Sequence, residues 1–211
     1  MKKSMSLTIL FFGALWGLLE ATLGYVLQFL PPLVSGSIMF PIGATILMIV
    51  YLNTESKSSI LWVGVIAATI KSVNFFMPGL LPIKTYNPMI AIMLQSVVMV
   101  AVAYVIDYQK VLLSLGAVAA ASLAWRMLFI INIMINNRLT GFNFPQLRSQ
   151  AITIEFIVSY GLIGAGLAVF IFLGVMFFKK HVTLIFKPSL ALSLSLFSIA
   201  VTFTYYIQSI S

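Results

Sequence analysis

Seven apolar segments, most of them long enough to cross a lipid bilayer, constrain this sequence more than any other feature. They cover residues 7–30, 37–52, 59–77, 88–105, 111–135, 151–178 and 189–207. A spanning helix needs about 20 apolar residues, whereas the strands of a membrane barrel alternate apolar and polar residues. These segments are continuously apolar. The sequence therefore predicts an all-α, polytopic transmembrane helical bundle of six to seven spans, forming a single integral membrane domain over residues 1–211.

The composition supports a membrane protein. Of the 211 residues, 62% are hydrophobic and only 8% are charged, and the mean hydropathy is +1.13. A soluble domain carries about 25% charged residues. One segment is less regular: the second contains Pro41 and is short, which predicts a helix that is kinked or partly re-entrant.

The distribution of Lys and Arg predicts the orientation. With the N-terminus inside, seven cationic residues lie on the cytoplasmic side and three on the other side. The first set is Lys2, Lys3, Lys57, Lys110, Lys179, Lys180 and Lys187; the second is Lys84, Arg138 and Arg148. Cytoplasmic loops carry this excess, and it attracts anionic membrane lipid. We expect a cytoplasmic N-terminus in a multi-pass protein of a prokaryotic plasma membrane, and no nucleic-acid partner.

The residues needed for most catalytic chemistry are scarce. The sequence has no Cys, and its only histidine is His181, beside two lysines. Zinc sites and Ser-His-Asp triads need more than this. The sequence also lacks a phosphate-binding loop and catalytic carboxylates at a fixed spacing. We therefore expect no enzymatic activity, no bound metal and no cofactor.

Four charged residues interrupt the apolar segments: Glu20, Lys71, Arg126 and Glu155. A charge at the centre of a bilayer costs about 2.5–3.5 kcal/mol on insertion scales, so such residues commonly pair or serve a function. In the predicted topology all four lie at or beyond the membrane midplane, toward the outside. They indicate either a solute or ion site that opens outward, or structural pairs such as Glu20 with Lys71 and Arg126 with Glu155.

Further polar residues extend this set. Asn74 follows Lys71 by one helical turn, Asn132 follows Arg126 on the same helix, and Tyr160 follows Glu155. An Arg side chain binds carboxylate or phosphate bidentately, and a Glu side chain binds an amine. The predicted substrate-binding residues are Lys71, Asn74, Arg126, Asn132, Glu155 and Tyr160. Glu20 is predicted to form a structural or functional ion pair.

Small residues recur in the first segment as Gly13-x3-Gly17-x3-Ala21, and the second segment contains Phe-Pro-Ile-Gly-Ala at 40–44. With the chain length and the N-in topology, these features resemble the substrate-binding S components of energy-coupling factor transporters. The chain departs from that pattern by glycine in place of alanine in the stripe and by segment 189–207, which is additional to six expected helices.

The resemblance implies a helical bundle that binds a vitamin or other micronutrient near its extracellular side. It also implies that Gly13, Gly17 and Ala21 contact a transmembrane coupling subunit driven by two cytoplasmic ATPases. The expected function is therefore uptake of a small solute through partner subunits. Two alternatives stay open: a self-contained ion- or proton-coupled transporter or channel, and a membrane scaffold without transport activity.

Overall fold

The computed structural model describes residues 2–31, 33–106, 110–177 and 188–209. Within these ranges the chain forms α-helices and no strands, which confirms the predicted all-α bundle. The helices are α1 (Lys2–Val26), α2 (Ser35–Thr54), α3 (Lys57–Ser72), α4 (Pro82–Val105), α5 (Val111–Thr140), α6 (Gln150–Ile157), α7 (Ser159–Phe177) and α8 (Leu190–Ser209). Short 3₁₀ turns at Leu27–Phe29, Val73–Phe76 and Pro145–Leu147 follow α1, follow α3 and precede α6.

Seven helical stretches in the described part of the chain are long and apolar enough to cross a membrane. They are α1, α2, α3 with its 3₁₀ turn, α4, α5, the pair α6–α7, and α8. The protein is therefore a multi-pass membrane protein. The predicted end of the sixth span at Phe178, together with Lys179, Lys180, His181 and Lys187, lies outside the described residues.

Pro41 does not interrupt the second span. It lies inside α2, which continues as one helix of 20 residues, long and apolar enough to cross a membrane; the kinked or partly re-entrant segment stays a prediction. Half of the α2 residues are buried, among them Phe40 and Leu47. Because α2 contacts α1, α3, α4 and α7, packing on several sides stabilises the helix through the proline. Helix α2 is thus the central element of the bundle.

The small-residue stripe of α1 packs inside the chain. A Cβ atom on Gly13 would lie 2.7 Å from the Ile66 side chain of α3, and one on Gly17 would lie 2.6 Å from Ile70. Ala21, the third member, is buried. The expectation that this stripe is a free coupling face is therefore corrected: α3 already occupies it, because glycine allows the two helices to approach closely.

Helix α8 covers another side of α1. Ala14 of α1 and Ala200 of α8 are both fully buried and cluster with Ile70. The Ser193 hydroxyl donates to the Leu7 carbonyl oxygen at 3.2 Å. Most of the remaining α8 surface is exposed, so this helix is a peripheral span attached to α1 and, more weakly, to α3.

Replacing Gly17 by leucine is expected to destabilise the protein by about 1–3 kcal/mol, because overpacking a tight helix contact forces backbone shifts. Changing Ile70 to alanine in the same chain makes room for the new side chain. The double variant should then be more stable than the sum of the two single effects predicts. Thermal unfolding in detergent measures all three variants.

Gly166→Leu is the matched control for Gly17→Leu, because a Cβ at Gly166 of α7 would meet nothing within 4 Å. It should leave the unfolding temperature unchanged. Full stability of Gly17→Leu, with loss of a function that needs a partner subunit, would instead show that the stripe contacts that partner.

Candidate functional site

A cavity of about 190 Å³ lies in one half of the bundle. Its walls come from the last turns of α1 and α3, the first turns of α2, the first half of α4, the second half of α5, and α6. These ends all lie on the same side of the membrane span, which the predicted topology makes the outer side. The lining residues are Glu20, Gly24, Ser35, Gly36, Met39, Lys71, Asn87, Pro88, Ala91, Gln95, Trp125, Phe129, Gln146 and Phe156.

Two opposite charges form one wall of the cavity. Glu20 of α1 is 8% exposed and Lys71 of α3 is 4% exposed, and the two side chains interact electrostatically. They come together because the contact at Gly17 and Ile70 brings the last turns of α1 and α3 to the same height. Two charges held out of water stabilise each other, and they also offer a carboxylate and an ammonium group to a bound molecule.

Gln95 of α4 forms the inner end of the cavity. Its side chain is 2% exposed, and its Oε1 atom accepts no hydrogen bond. A Cβ on Gly43 would lie 3.3 Å from this oxygen and 2.7 Å from the Trp16 ring. The absence of a side chain at Gly43 therefore leaves room for both groups. A buried acceptor without a donor costs about 1–3 kcal/mol, a cost that a ligand with an O–H or N–H group would remove.

Aromatic rings form the opposite wall. Trp125 and Phe129 of α5 and Phe156 of α6 line the cavity. The Trp125 ring lies 6.3 Å from the Phe156 ring, nearly perpendicular to it, and stacks on Phe40 of α2 at 6.1 Å. Rings at these distances attract each other beyond simple burial. The wall is thus rigid and suited to a flat apolar group.

Arg126 supports this wall from behind. Its guanidinium lies 4.8 Å from the centre of the Trp125 ring and 4.6 Å from that of Phe156. Nη1 donates to the Phe156 carbonyl oxygen at 3.2 Å, and Nη2 donates to the Ser37 hydroxyl at 2.9 Å. The side chain is completely buried. Arg126 therefore holds α2, α5 and α6 together and does not itself line the cavity.

A break between α6 and α7 explains why the Arg126 guanidinium donates to a backbone carbonyl oxygen of α6. The helix is interrupted at Val158, and carbonyl oxygens at helix ends need donors from elsewhere. The Arg126 bond to the Phe156 carbonyl oxygen supplies such a donor. The first turn of α7 is held by further bonds, in which the Ser37 hydroxyl donates to the Tyr160 carbonyl oxygen and the Ser122 hydroxyl to the Gly161 carbonyl oxygen, each at 2.8 Å. These bonds attach the two helices beside the break to α2 and α5.

The other predicted binding residues do not line the described cavity. Tyr160 lies in the first turn of α7, where its carbonyl oxygen accepts a hydrogen bond from the Ser37 hydroxyl. Asn132 lies farther along α5, where its Oδ1 accepts from the Tyr86 hydroxyl at 3.4 Å. Asn74 is buried in the turn after α3. Glu155 is exposed, because α6 turns the neighbouring Phe156 inward. Of the six predicted substrate-binding residues, only Lys71 lines the described cavity, and Glu20 joins it there.

The predicted substrate-binding residues did not include Gln95, Trp125 or Phe156, which all line the cavity. A polar or aromatic side chain in an apolar helix is a signal, but the direction that it faces depends on how the helix packs. No sequence pattern gives that direction here.

No protein-family model, curated protein sequence or solved structure matches this chain.

Proposed function

We propose that this protein is a substrate-binding membrane subunit for the uptake of a small solute, which it binds in the cavity between Glu20, Lys71 and the aromatic wall. The observation that carries the proposal is the pair of buried opposite charges beside a space of about 190 Å³. That volume is somewhat larger than the engineered cavity of about 150 Å³ that holds benzene. It suits a solute with one ring or a short chain.

The cavity ends within the bundle, which favours a binding protein over a channel. Beyond Gln95, apolar side chains fill the space between α2, α3 and α4; Leu47, Val63 and Met99 are each at most 1% exposed. A further cavity near Met48 and Met99 has a volume of only about 10 Å³. Release to the other side of the membrane therefore requires the helices to move.

Uptake against a concentration gradient requires an energy source, and the resemblance to S components suggests partner ATPases acting through a coupling subunit in a prokaryotic plasma membrane. The surface for that subunit lies elsewhere than the Gly13–Gly17 stripe, which α3 occupies. A second candidate function, a self-contained ion-coupled carrier, is favoured by this same packing and by α8, which covers another side of α1.

The first test of the proposal is whether a solute stays bound through purification. Extraction of the detergent-purified protein and mass spectrometry should detect one small organic molecule at close to one equivalent, and Lys71→Met should lose it. Lys84→Met is the control, because Lys84 is an exposed cation on α4 near the same end of the bundle. A wild-type protein that carries nothing above the level of the Lys71→Met variant would contradict the proposal.

The second test separates the two sources of energy. Affinity purification from native membranes should recover a transmembrane subunit and ATPases, and uptake in vesicles should need ATP. Uptake by the purified chain alone in proteoliposomes, driven by an ion gradient, would favour the self-contained carrier instead.

A further inference from the structure

The charges around the cavity do not balance. Glu20 and Lys71 interact with each other in one wall of the cavity, but a second cation, Arg126, lies directly behind Trp125 and Phe156. Both hydrogen bonds described for Arg126 go to neutral oxygens, a carbonyl and a hydroxyl. These bonds leave its charge uncompensated, and Glu155, the acid nearest in sequence, is exposed on α6. The site therefore carries one net positive charge in a region of low dielectric, where charge interactions are strong.

The polar groups of the site lie at its two ends. Gly64 of α3 lies against Ser96 of α4, next to Gln95, whereas Lys71 follows Gly64 by seven residues. At a rise of 1.5 Å per residue, the Lys71 backbone is about 10 Å nearer to the outer end of the bundle than Gln95 is. Lys71 thus enters the wall of the cavity nearer its outer end, and the unpartnered Gln95 Oε1 lies nearer the other end.

These observations define a ligand shape. The net positive charge favours binding of an anion, and the Lys71 ammonium group would contact it. Gln95 Oε1, buried and without a donor, calls for an O–H or N–H group at the opposite end. Between them, Trp125, Phe129 and Phe156 form a wall that suits a flat apolar group.

Resting on the proposed function, we propose that the solute is a small, flat organic monoanion that carries its carboxylate at one end and a hydrogen-bond donor at the other. Its carboxylate displaces Glu20 as the principal partner of Lys71, and its donor binds Gln95 Oε1. The volume of about 190 Å³ accommodates one substituted ring.

Four ring compounds of matched size, together with acetate, test the charge and the donor separately. They are 4-hydroxybenzoate, benzoate, 4-hydroxybenzamide and 4-hydroxybenzylamine, titrated calorimetrically into the detergent-purified full chain. The first should bind most tightly. Loss of the hydroxyl group should weaken binding about 3- to 10-fold. Loss of the charge in the amide should weaken it at least about 30-fold, and the amine should not bind.

Two variants assign these effects to residues. Gln95→Leu should abolish the preference for 4-hydroxybenzoate over benzoate, so that the two acids bind with equal affinity. Lys71→Met should weaken both acids at least about 30-fold, whereas Lys84→Met should bind them like the wild type.

Several results would overturn this inference. Amide or amine binding as tight as that of the acid would show that the site does not select an anion. Acetate binding as tight as that of the ring acids would show a simple anion site without recognition of the ring, and failure of every probe would contradict the ligand class. The proposed function has its own criterion: a retained solute that is neutral or cationic and depends on Lys71 would uphold it while refuting the inference.

Discussion

Replacement of Arg126 by alanine is expected to lower the free energy of unfolding by about 3 kcal/mol. The change opens a space between Trp125 and Phe156, and large-to-small changes in a core typically cost about 2–5 kcal/mol. It also leaves the buried Phe156 carbonyl oxygen without the donor that Arg126 supplies, at about 1–3 kcal/mol. Removal of a buried charge offsets only part of this loss. The α6–α7 break should loosen, and the bound solute should be lost with it.

Two comparisons make the Arg126 result specific. Arg126→Lys keeps the charge but not the planar fork, so it should lose about half as much stability, because a lysine does not reproduce both hydrogen bonds and the stacking. Arg138→Ala removes an exposed arginine from the same helix and should change stability by less than about 0.5 kcal/mol. Thermal unfolding in detergent measures each variant. Equal stability of Arg126→Ala and Arg138→Ala would refute the supporting role of Arg126.

Replacement of Lys71 by methionine is expected to reduce solute binding at least about 30-fold, while the methionine side chain fills most of the space that the lysine leaves. Truncating one member of a buried charge pair typically costs 2–5 kcal/mol, part of it from the charge left unpaired. The single variant therefore also leaves Glu20 buried without its partner, so stability should fall as well. Binding and stability must be measured together.

A double variant separates the two roles of Lys71. Glu20→Gln with Lys71→Met removes both charges, so stability should return toward that of the wild type, because neutral pairs of similar volume often replace buried ion pairs without loss. Solute binding should stay lost. Retention of the solute by this neutral pair would show that Glu20 and Lys71 serve only to hold α1 and α3 together, as a membrane scaffold would require.

The sequence alone could predict a site residue only where its type is costly to place in a membrane whatever it contacts, as a charged residue is. Lys71 and Glu20 were identified because charges in apolar segments are rare whatever they contact. Arg126 was found for the same reason, but its role was not. That role depends on the break at Val158, which creates carbonyl oxygens in need of donors, and nothing in the apolar sequence around Val158 marks the break.

Tertiary packing decided the orientation of the other side chains. Gln95, Trp125 and Phe156 lie in apolar helices with little difference between their faces, so periodicity does not indicate which side turns inward. The stripe at Gly13 and Gly17 was visible in the sequence, but its partner was not. Small residues permit close approach of any helix, and only the arrangement of α1 against α3 shows which helix uses it.

The sequence by itself therefore determined that this protein is a helical membrane bundle, because apolar length and continuity are local properties that the bilayer requires of each segment separately. It also determined that charges lie within the spans. Only the tertiary structure decided that Glu20 and Lys71 share a cavity, that Arg126 stands behind its wall, and that Glu155 lies outside it. Those facts depend on helix rotation and on contacts between residues far apart in the chain, which local sequence does not encode.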